Sequence, residues 1–128
     1  MKILLDTHIF LWYISGDQRL PADKRDAIRN TENEVHLSVV SLWEALIKHQ
    51  TGKLTFPQPP EIYLPQQRER HRIASLALDE ISVAHLATLP PLHRDPFDRM
   101  LICQANVHGL AFMTVDEILR AYPVQIFA

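Results

Sequence analysis

The sequence predicts an α/β protein, a three-layer α/β/α sandwich built around a mostly parallel sheet. Strand-like and helix-like segments alternate along the whole chain, a pattern that favours parallel strands with helices on both faces of the sheet. The first strand-like segment, residues 1–5, is short and apolar on both faces, as in strands buried between two helical layers. The length of 128 residues is typical of one domain. No repeat or linker divides the sequence, so we expect a single domain over residues 1–128.

The first segments predict one strand followed by two helices. Residues 1–5 are apolar except for Lys2, which indicates a buried strand. Residues 7–15 carry large apolar side chains almost continuously and end before Gly16, which predicts a buried helix with a glycine stop. A second helix, rich in charge, is expected over residues 21–30 because proline favours the first turn of a helix.

The middle of the chain predicts a second strand and two more helices. Residues 34–40 are rich in valine and leucine, which indicates a strand. Ser41 and Glu44 have the spacing of a capping box, so a helix is expected from Ser41 to residue 50. A proline-rich loop then leads into a helix that begins near residue 60 and ends near residue 72.

The last part of the chain contains one long helix among shorter elements. Asp95 followed by Pro96 is a strong helix start, because aspartate is a favoured N-cap and proline a favoured first residue. This helix should end at His108, since Gly109 follows it. Strands are expected over residues 73–78, 110–114 and 124–127, and short helices over residues 83–88 and 115–121.

Four carboxylates stand where predicted strands end or predicted helices begin: Asp6, Glu44, Asp98 and Asp116. The carboxyl ends of parallel strands face one crevice, and ligands bind there. Four acids in one crevice repel one another unless a cation neutralises them or they take up protons. An all-oxygen set of ligands suits Mg²⁺ or Mn²⁺ better than zinc, and such sites most often serve phosphodiester or phosphoryl chemistry. The four acids are therefore our candidates for both catalytic residues and metal ligands.

Each acid also has a structural explanation. Glu44 fits the capping box of Ser41, and Asp98 and Asp116 lie early in helices, whose N-terminal ends favour negative charge. Asp6 could cap the first helix, but it directly follows a buried strand, where an unpaired carboxylate is costly. Capping also does not explain why four helices all carry an acid at the crevice end.

Neighbouring polar side chains are candidates for contact with the substrate. Thr7 and Thr114 stand at strand ends, where a hydroxyl could hydrogen-bond an acid or a bound water. Arg94 and Arg99 flank Asp98, so they are placed to contact phosphate near the same crevice.

Two further groups of side chains have both a structural and a functional interpretation. Three arginines of a predicted helix form either a solvated face or a phosphate contact at the rim of the crevice: Arg68, Arg70 and Arg72. Four large aromatic residues belong either to the core or to a groove for a partner segment: Phe10, Trp12, Tyr13 and Trp43.

Composition excludes several classes of site. The net charge of −2 argues against a protein that coats nucleic acid through a broad basic face. The single cysteine, Cys103, forms no internal disulfide, and the seven histidines lack the spacing of a zinc site. No glycine-rich phosphate loop occurs. No segment is apolar enough to span a membrane or has the pattern of a signal peptide, so we expect a cytoplasmic protein.

Four separated segments match, in order, the motifs of a known family. They are LLDTH at residues 4–8, SVVSLWE at 38–44, RDPFDRML at 94–101 and TVD at 114–116. In the order and spacing of these motifs and in total length, the chain resembles PIN domains, and among them the VapC toxins of prokaryotic toxin–antitoxin pairs. The resemblance extends from Met1 to Val124.

The resemblance implies a PIN-like sandwich and a Mg²⁺- or Mn²⁺-dependent endoribonuclease that hydrolyses RNA. Position by position, it places the acidic site at Asp6, Glu44, Asp98 and Asp116, and Thr114 matches a Ser/Thr often found near the site. Asp95 belongs to a variant of the third motif. The resemblance also implies a homodimer that is inhibited by a small antitoxin protein.

Three alternative functions remain at this point. A phosphatase of the haloacid dehalogenase type needs a second aspartate two positions after its nucleophile, where this chain has His8. A response-regulator receiver needs a late lysine, and no lysine follows Lys53. A PIN-like protein that binds a partner without catalysis is the third alternative, and the presence of all four acids argues against it.

Overall fold

The computed structural model describes residues 1–128 and contains four strands and seven α-helices. The strands are β1 (Lys2–Leu5), β2 (Glu34–Ser38), β3 (Ala74–Leu76) and β4 (Ala111–Met113). The helices are α1 (Thr7–Ser15), α2 (Ala22–Arg29), α3 (Val39–Gln50), α4 (Pro60–Arg70), α5 (Glu80–His85), α6 (Pro96–His108) and α7 (Glu117–Arg120). A 3₁₀ turn, Leu86–Thr88, follows α5. No helix is both long enough and apolar enough to cross a bilayer.

The four strands form one parallel sheet in the order β3-β2-β1-β4. β1 lies between β2 and β4, and Ile3 is in register with Val35 on one side and with Ala111 on the other. Because β1 has a neighbour on each side and helices on each face, its residues Ile3, Leu4 and Leu5 are fully buried. The parallel sheet confirms the predicted α/β class.

Helices cover both faces of this sheet, which confirms the three-layer sandwich. Ile3 and Leu5 pack on one face with α1 and α4, whereas Leu4 packs on the other face with α6. This alternation follows from the strand geometry, in which successive side chains point to opposite faces. The first core contains Phe10 among its members, and the second contains Phe112.

The helix that carries Glu44 begins earlier than the sequence predicts. Ser38 is its N-cap, because the Ser38 hydroxyl accepts a hydrogen bond from Val40 N at 3.0 Å. Ser41 is therefore inside the helix, and the predicted capping box of Ser41 with Glu44 is wrong. The explanation of Glu44 as a capping residue is therefore wrong as well. Glu44 is nevertheless buried, with only 1 % of its surface exposed.

Other differences lie at element ends. The predicted final strand is reduced to a single parallel bridge between Phe112 and Ile126, since only this short stretch pairs with β4. The helix before β3 ends at Arg70, and Arg72 takes the left-handed conformation with φ 57°. β3 is shorter than predicted and lies at the edge of the sheet, where it has only one neighbouring strand.

Candidate active site

The four sequence-predicted acids come from four different elements and lie together at the carboxyl edge of the sheet. Asp6 follows β1 and caps α1, and Asp116 follows β4 and caps α7. Glu44 lies on α3, and Asp98 lies in the first turn of α6. Carboxylate oxygens of Glu44 and of Asp116 lie within 4.8 Å of those of Asp98. The pKa of Asp98 rises to about 8 in this environment. Burial is the largest cause of this rise, and the negative charges of Asp6, Asp95, Glu44 and Asp116 add to it.

Two hydrogen bonds hold the carboxylate of Asp6. Its Oδ1 accepts a hydrogen bond from Thr7 N at 2.8 Å, and its Oδ2 accepts one from Thr114 Oγ1 at 2.6 Å. Burial raises the pKa of the Asp6 carboxyl above its usual value, although both hydrogen bonds act in the opposite direction. A carboxylate has about four acceptor positions, so these two donors leave Asp6 able to accept further ligands.

Glu44 is buried between a hydroxyl and an ammonium group. Its Oε1 accepts a hydrogen bond from Thr7 Oγ1 at 2.7 Å, and its Oε2 pairs with Lys48 Nζ at 2.6 Å. Burial disfavours the charged form of Lys48, but the hydrogen bond and the charge of Glu44 outweigh it and raise the lysine pKa. The ammonium of Lys48 therefore places positive charge directly against the buried Glu44 carboxylate.

His93 reaches the site from the loop before α6. Its Nδ1 accepts a hydrogen bond from Asp95 N at 2.9 Å, and its backbone N donates to Tyr122 Oη at 2.8 Å. In the neutral ring the proton must then be on Nε2. That nitrogen lies 3.6 Å from Asp116 Oδ2 and 3.9 Å from Asp98 Oδ2. His93 is therefore oriented to direct an N–H towards both acids.

Two groups of possible ligand atoms surround Asp98. One contains Glu44 and Asp95, and the other contains His93 and Asp116, and in each group the atoms lie within 4.8 Å of one another. Asp95 also accepts hydrogen bonds from Phe97 N and Asp98 N as the N-cap of α6. The carboxylate oxygens are the ligands that a hard divalent cation prefers. His93 is the exception, because its Nε2 carries a proton in the neutral ring and does not bind a cation in that form.

The predicted neighbours divide into two sets. Thr7 and Thr114 both hydrogen-bond acids of the cluster, as their positions at the strand ends predict. Arg94 and Arg99 are not brought into ion pairs, since neither has an acid within 4.0 Å. Their contact with substrate stays a prediction.

Sequence reasoning missed Lys48 and His93 and set Asp95 aside. Lys48 could have been found, because it stands four residues after Glu44 on the same helix and such pairs face each other. His93 has no comparable signal, since its approach depends on the path of the loop before Asp95. Asp95 was explained by capping, a role that it does fill in addition to facing Glu44 and Asp98.

The sequence model of the PIN domain matches residues 3–125, nearly the whole chain. The chain belongs to the PIN domain family. Among curated relatives, ribonuclease VapC22 of Mycobacterium tuberculosis is 25 % identical over 120 residues, which cover 94 % of this chain and 91 % of the relative. Ribonuclease VapC16 of the same organism is 34 % identical over 71 residues, which cover 52 % of this chain and 50 % of that protein.

Solved structures with the same fold include toxin–antitoxin complexes. VapBC2 from Rickettsia felis, bound to a DNA fragment from its promoter, superposes on this PIN domain with a TM-score of 0.72. That match has 14 % identity and covers 100 % of this chain and 98 % of the other. DNA-bound VapBC from Salmonella typhimurium gives a TM-score of 0.71 at 20 % identity, covering 99 % and 97 % of the two chains. At these identities the likeness supports the PIN fold.

Proposed function

We propose that this PIN domain is an endoribonuclease that hydrolyses RNA phosphodiester bonds with a divalent cation, and that it acts as the toxin of a toxin–antitoxin pair. The observation that carries the proposal is the cluster of Asp6, Glu44, Asp98 and Asp116, which four separate elements bring to one crevice. The names of the curated relatives, both ribonucleases called VapC, support the substrate class. The whole chain, residues 1–128, forms the single catalytic domain in this proposal.

The residues of the crevice fit Mg²⁺ or Mn²⁺. Asp98 is mostly protonated at neutral pH unless positive charge is added, because burial and the neighbouring acids raise its pKa to about 8. Lys48 supplies one positive charge, but it is engaged with Glu44. In the proposal Asp98, Asp116, Glu44 and Asp6 hold the cation, and its chemistry when bound is to neutralise phosphate charge and lower the pKa of water.

The chain's own residues prepare the crevice for this reaction. Thr7 and Thr114 fix the carboxylates of Glu44 and Asp6, so these groups need little rearrangement when substrate binds. Lys48 pairs with Glu44 at 2.6 Å and holds its carboxylate from the other side. The Nε2–H of His93 faces Asp98 and Asp116 and can hold either carboxylate in place.

The proposal includes partners. Two of the structures with this fold are VapBC complexes, which makes a cognate antitoxin the expected protein partner. We also propose a homodimer and a cytoplasmic location.

Trp43 is 55 % exposed and packs edge-to-face on Phe97 with ring centroids 4.9 Å apart, so the core explanation of this residue is wrong. Trp12 lies in a separate cavity along α1, so one groove for both tryptophans is not formed.

A cleavage assay with matched variants tests this function. The purified chain should cut labelled single-stranded RNA when Mg²⁺ or Mn²⁺ is added, and EDTA should stop the reaction. Asp98→Asn should remove cleavage while circular dichroism stays unchanged, whereas Glu32→Gln, which removes an exposed acid outside the site, should cut normally. Full activity in Asp98→Asn, or in chelated protein, would refute the proposal. Antitoxin binding without any cleavage would favour the alternative of a non-catalytic PIN-like protein.

A further inference from the structure

A second group of charged side chains lies at the opposite edge of the sheet from the acids. Six of the thirteen lysines and arginines have an acid within 4.0 Å, which leaves seven without one. Three of those seven gather around His71 near the amino ends of β2 and β3: Arg29, Arg70 and Arg72. We call Tyr13, Arg29, Arg70, His71 and Arg72 the basic cleft.

The basic cleft contains two adjoining cavities of about 300 and 360 Å³, which share Tyr13, Arg29 and His71. Arg72, Asn30 and Asn33 add polar groups to the first cavity. The only acid lining either cavity is Asp17, which already pairs with Arg19 at 2.7 Å. The cavities therefore offer guanidinium, amide and imidazole donors with almost no competing negative charge.

The charges of the basic cleft repel one another in the free protein. Burial lowers the pKa of His71 below its usual value, and the positive charges of Arg70 and Arg29 lower it further. No acid contributes in the opposite direction. A bound anion would relieve this repulsion, because it places negative charge among groups that now face only like charge.

Arg72 occupies a backbone position where glycine is usual. Arg72 N bonds to Glu69 O and Ile73 N bonds to Arg68 O, both at 3.0 Å, which closes helix α4 with Arg72 in the left-handed conformation. A residue with a β-carbon is unfavourable there. The chain nevertheless presents an exposed guanidinium at this point, on the wall of the first cavity.

Helix α1 connects the basic cleft with the acid cluster. Thr7, the first residue of α1, donates a hydrogen bond to Glu44 of the acid cluster. Tyr13, six residues later in the same helix, lines the cleft. That separation is about 9 Å along a helix axis. A third cavity, of about 700 Å³, is lined by His8 and Trp12 of α1. Trp12 also lines the second cavity of the cleft.

We propose that the basic cleft is a second RNA-binding site, where Arg29 and Arg72 bind backbone phosphates of the strand whose scissile bond lies at the acid cluster. Arginines beside aromatic rings are the combination that holds single strands without reading their sequence. The half-buried Trp12 and Tyr13 supply the rings, since both line the second cavity. The acid cluster repels RNA, which is the substrate in the proposed function. The positive charge of the basic cleft attracts RNA and so offsets part of this repulsion.

Binding measured without cleavage tests this inference. A fluorescein-labelled, unstructured RNA of about 20 nucleotides is longer than the usual binding site of a single-strand binder. It is titrated with the full chain in EDTA, and the salt dependence of the binding constant is recorded by anisotropy. The variant Arg29→Gln/Arg72→Gly removes two cations without straining the backbone. The control Lys2→Gln/Arg120→Gln makes the same change in charge at two exposed positions outside the cleft.

The cleft variant should bind RNA more weakly than the control, and its log–log salt slope should fall by about 0.7 for each phosphate that the protein no longer neutralises. RNA should also raise the pKa of His71 in an NMR titration of the wild type, since a phosphate beside the ring favours the imidazolium. Binding and salt slope equal to those of the control would overturn the inference. An oligoglutamate probe is titrated in the same way. If the cleft variant binds RNA as the control does but no longer binds oligoglutamate, the inference is overturned, and the cleft binds an acidic protein segment instead.

The inference rests on the proposed ribonuclease function, and the two can fail separately. The same RNA is incubated with each protein in Mn²⁺. A wild type that cleaves RNA, with a cleft variant that binds like the control, rejects the second site and leaves the function standing. A wild type that neither binds nor cleaves RNA rejects both.

Discussion

Thr114 Oγ1 donates a hydrogen bond to Asp6 Oδ2 at 2.6 Å, across 108 positions of the sequence. The bond joins the ends of two adjacent strands, because Thr114 follows β4 and Asp6 follows β1. Both side chains are almost fully buried, so the Asp6 carboxylate depends on this donor more than an exposed carboxylate would.

Replacing Thr114 by valine should therefore destabilise the protein. The variant keeps the shape of the side chain but leaves a buried carboxylate without one of its two donors, a change that costs about 1–3 kcal/mol. Chemical denaturation measures the loss. The exposed Thr31→Val is the control and should change the free energy of unfolding by less than about 0.5 kcal/mol. Equal stability of the two variants would mean that the Thr114–Asp6 bond contributes nothing.

The raised pKa of Asp98 should give the metal-free protein an unusual dependence on pH. The folded carboxyl titrates at about 8 and the unfolded one near 3.8, so the folded state binds the extra proton between these values. The contribution of Asp98 is thus fully present below about pH 4 and is lost as pH rises through 8. Thermal melts in EDTA should show Asp98→Asn gaining stability over wild type at pH 8 and little at pH 4. A gain of the same size at both pH values would contradict the shift.

Divalent cations should stabilise the folded chain through the same acids. At a concentration about 100 times its dissociation constant, a ligand of the folded state adds about 2.7 kcal/mol. Mg²⁺ or Mn²⁺ should therefore raise the melting temperature of wild type, and Asp98→Asn should lose most of that rise. Glu32→Gln serves as the control and should respond like wild type. An equal rise in wild type and Asp98→Asn would place the cation elsewhere.

Arg72→Gly should make the fold more stable. Relief of the left-handed conformation favours glycine by about 1–2 kcal/mol. The greater freedom of glycine in the unfolded chain offsets about 0.5–1 kcal/mol of this. A net gain of up to about 1.5 kcal/mol is expected from these terms in urea denaturation. Arg70→Gly, at the last residue of α4, is the opposite control and should lose stability, since glycine is unfavourable within a helix. A loss in Arg72→Gly as well would show that its guanidinium contributes to folding.

The sequence predicts the parallel sheet because strand-like and helix-like segments alternate along the chain, and this pattern has few other solutions. It also predicts which acids meet, since the strands of such a sheet end, and the helices that follow them begin, at the same edge. Element ends are less well predicted, as the helix start at Ser38 shows, because Ser38 and Ser41 are equally plausible caps until the approach of Thr7 to Ser41 is known. His93 and the basic cleft depend on loop paths and on pairs of distant residues, for which the sequence carries no periodic signal.

The position of β1 in the sheet has a consequence for synthesis. β1 is an inner strand of the sheet, yet one of its neighbours, β4, comes from residues 111–113, more than one hundred positions later. During translation the hydrophobic β1 therefore stays without that neighbour until β4 has been synthesised, and pairs at such sequence separation form slowly. The acid cluster, which spans Asp6 to Asp116, is complete only after Asp116 has been synthesised. A nascent chain that has not yet reached Asp116 carries no assembled site.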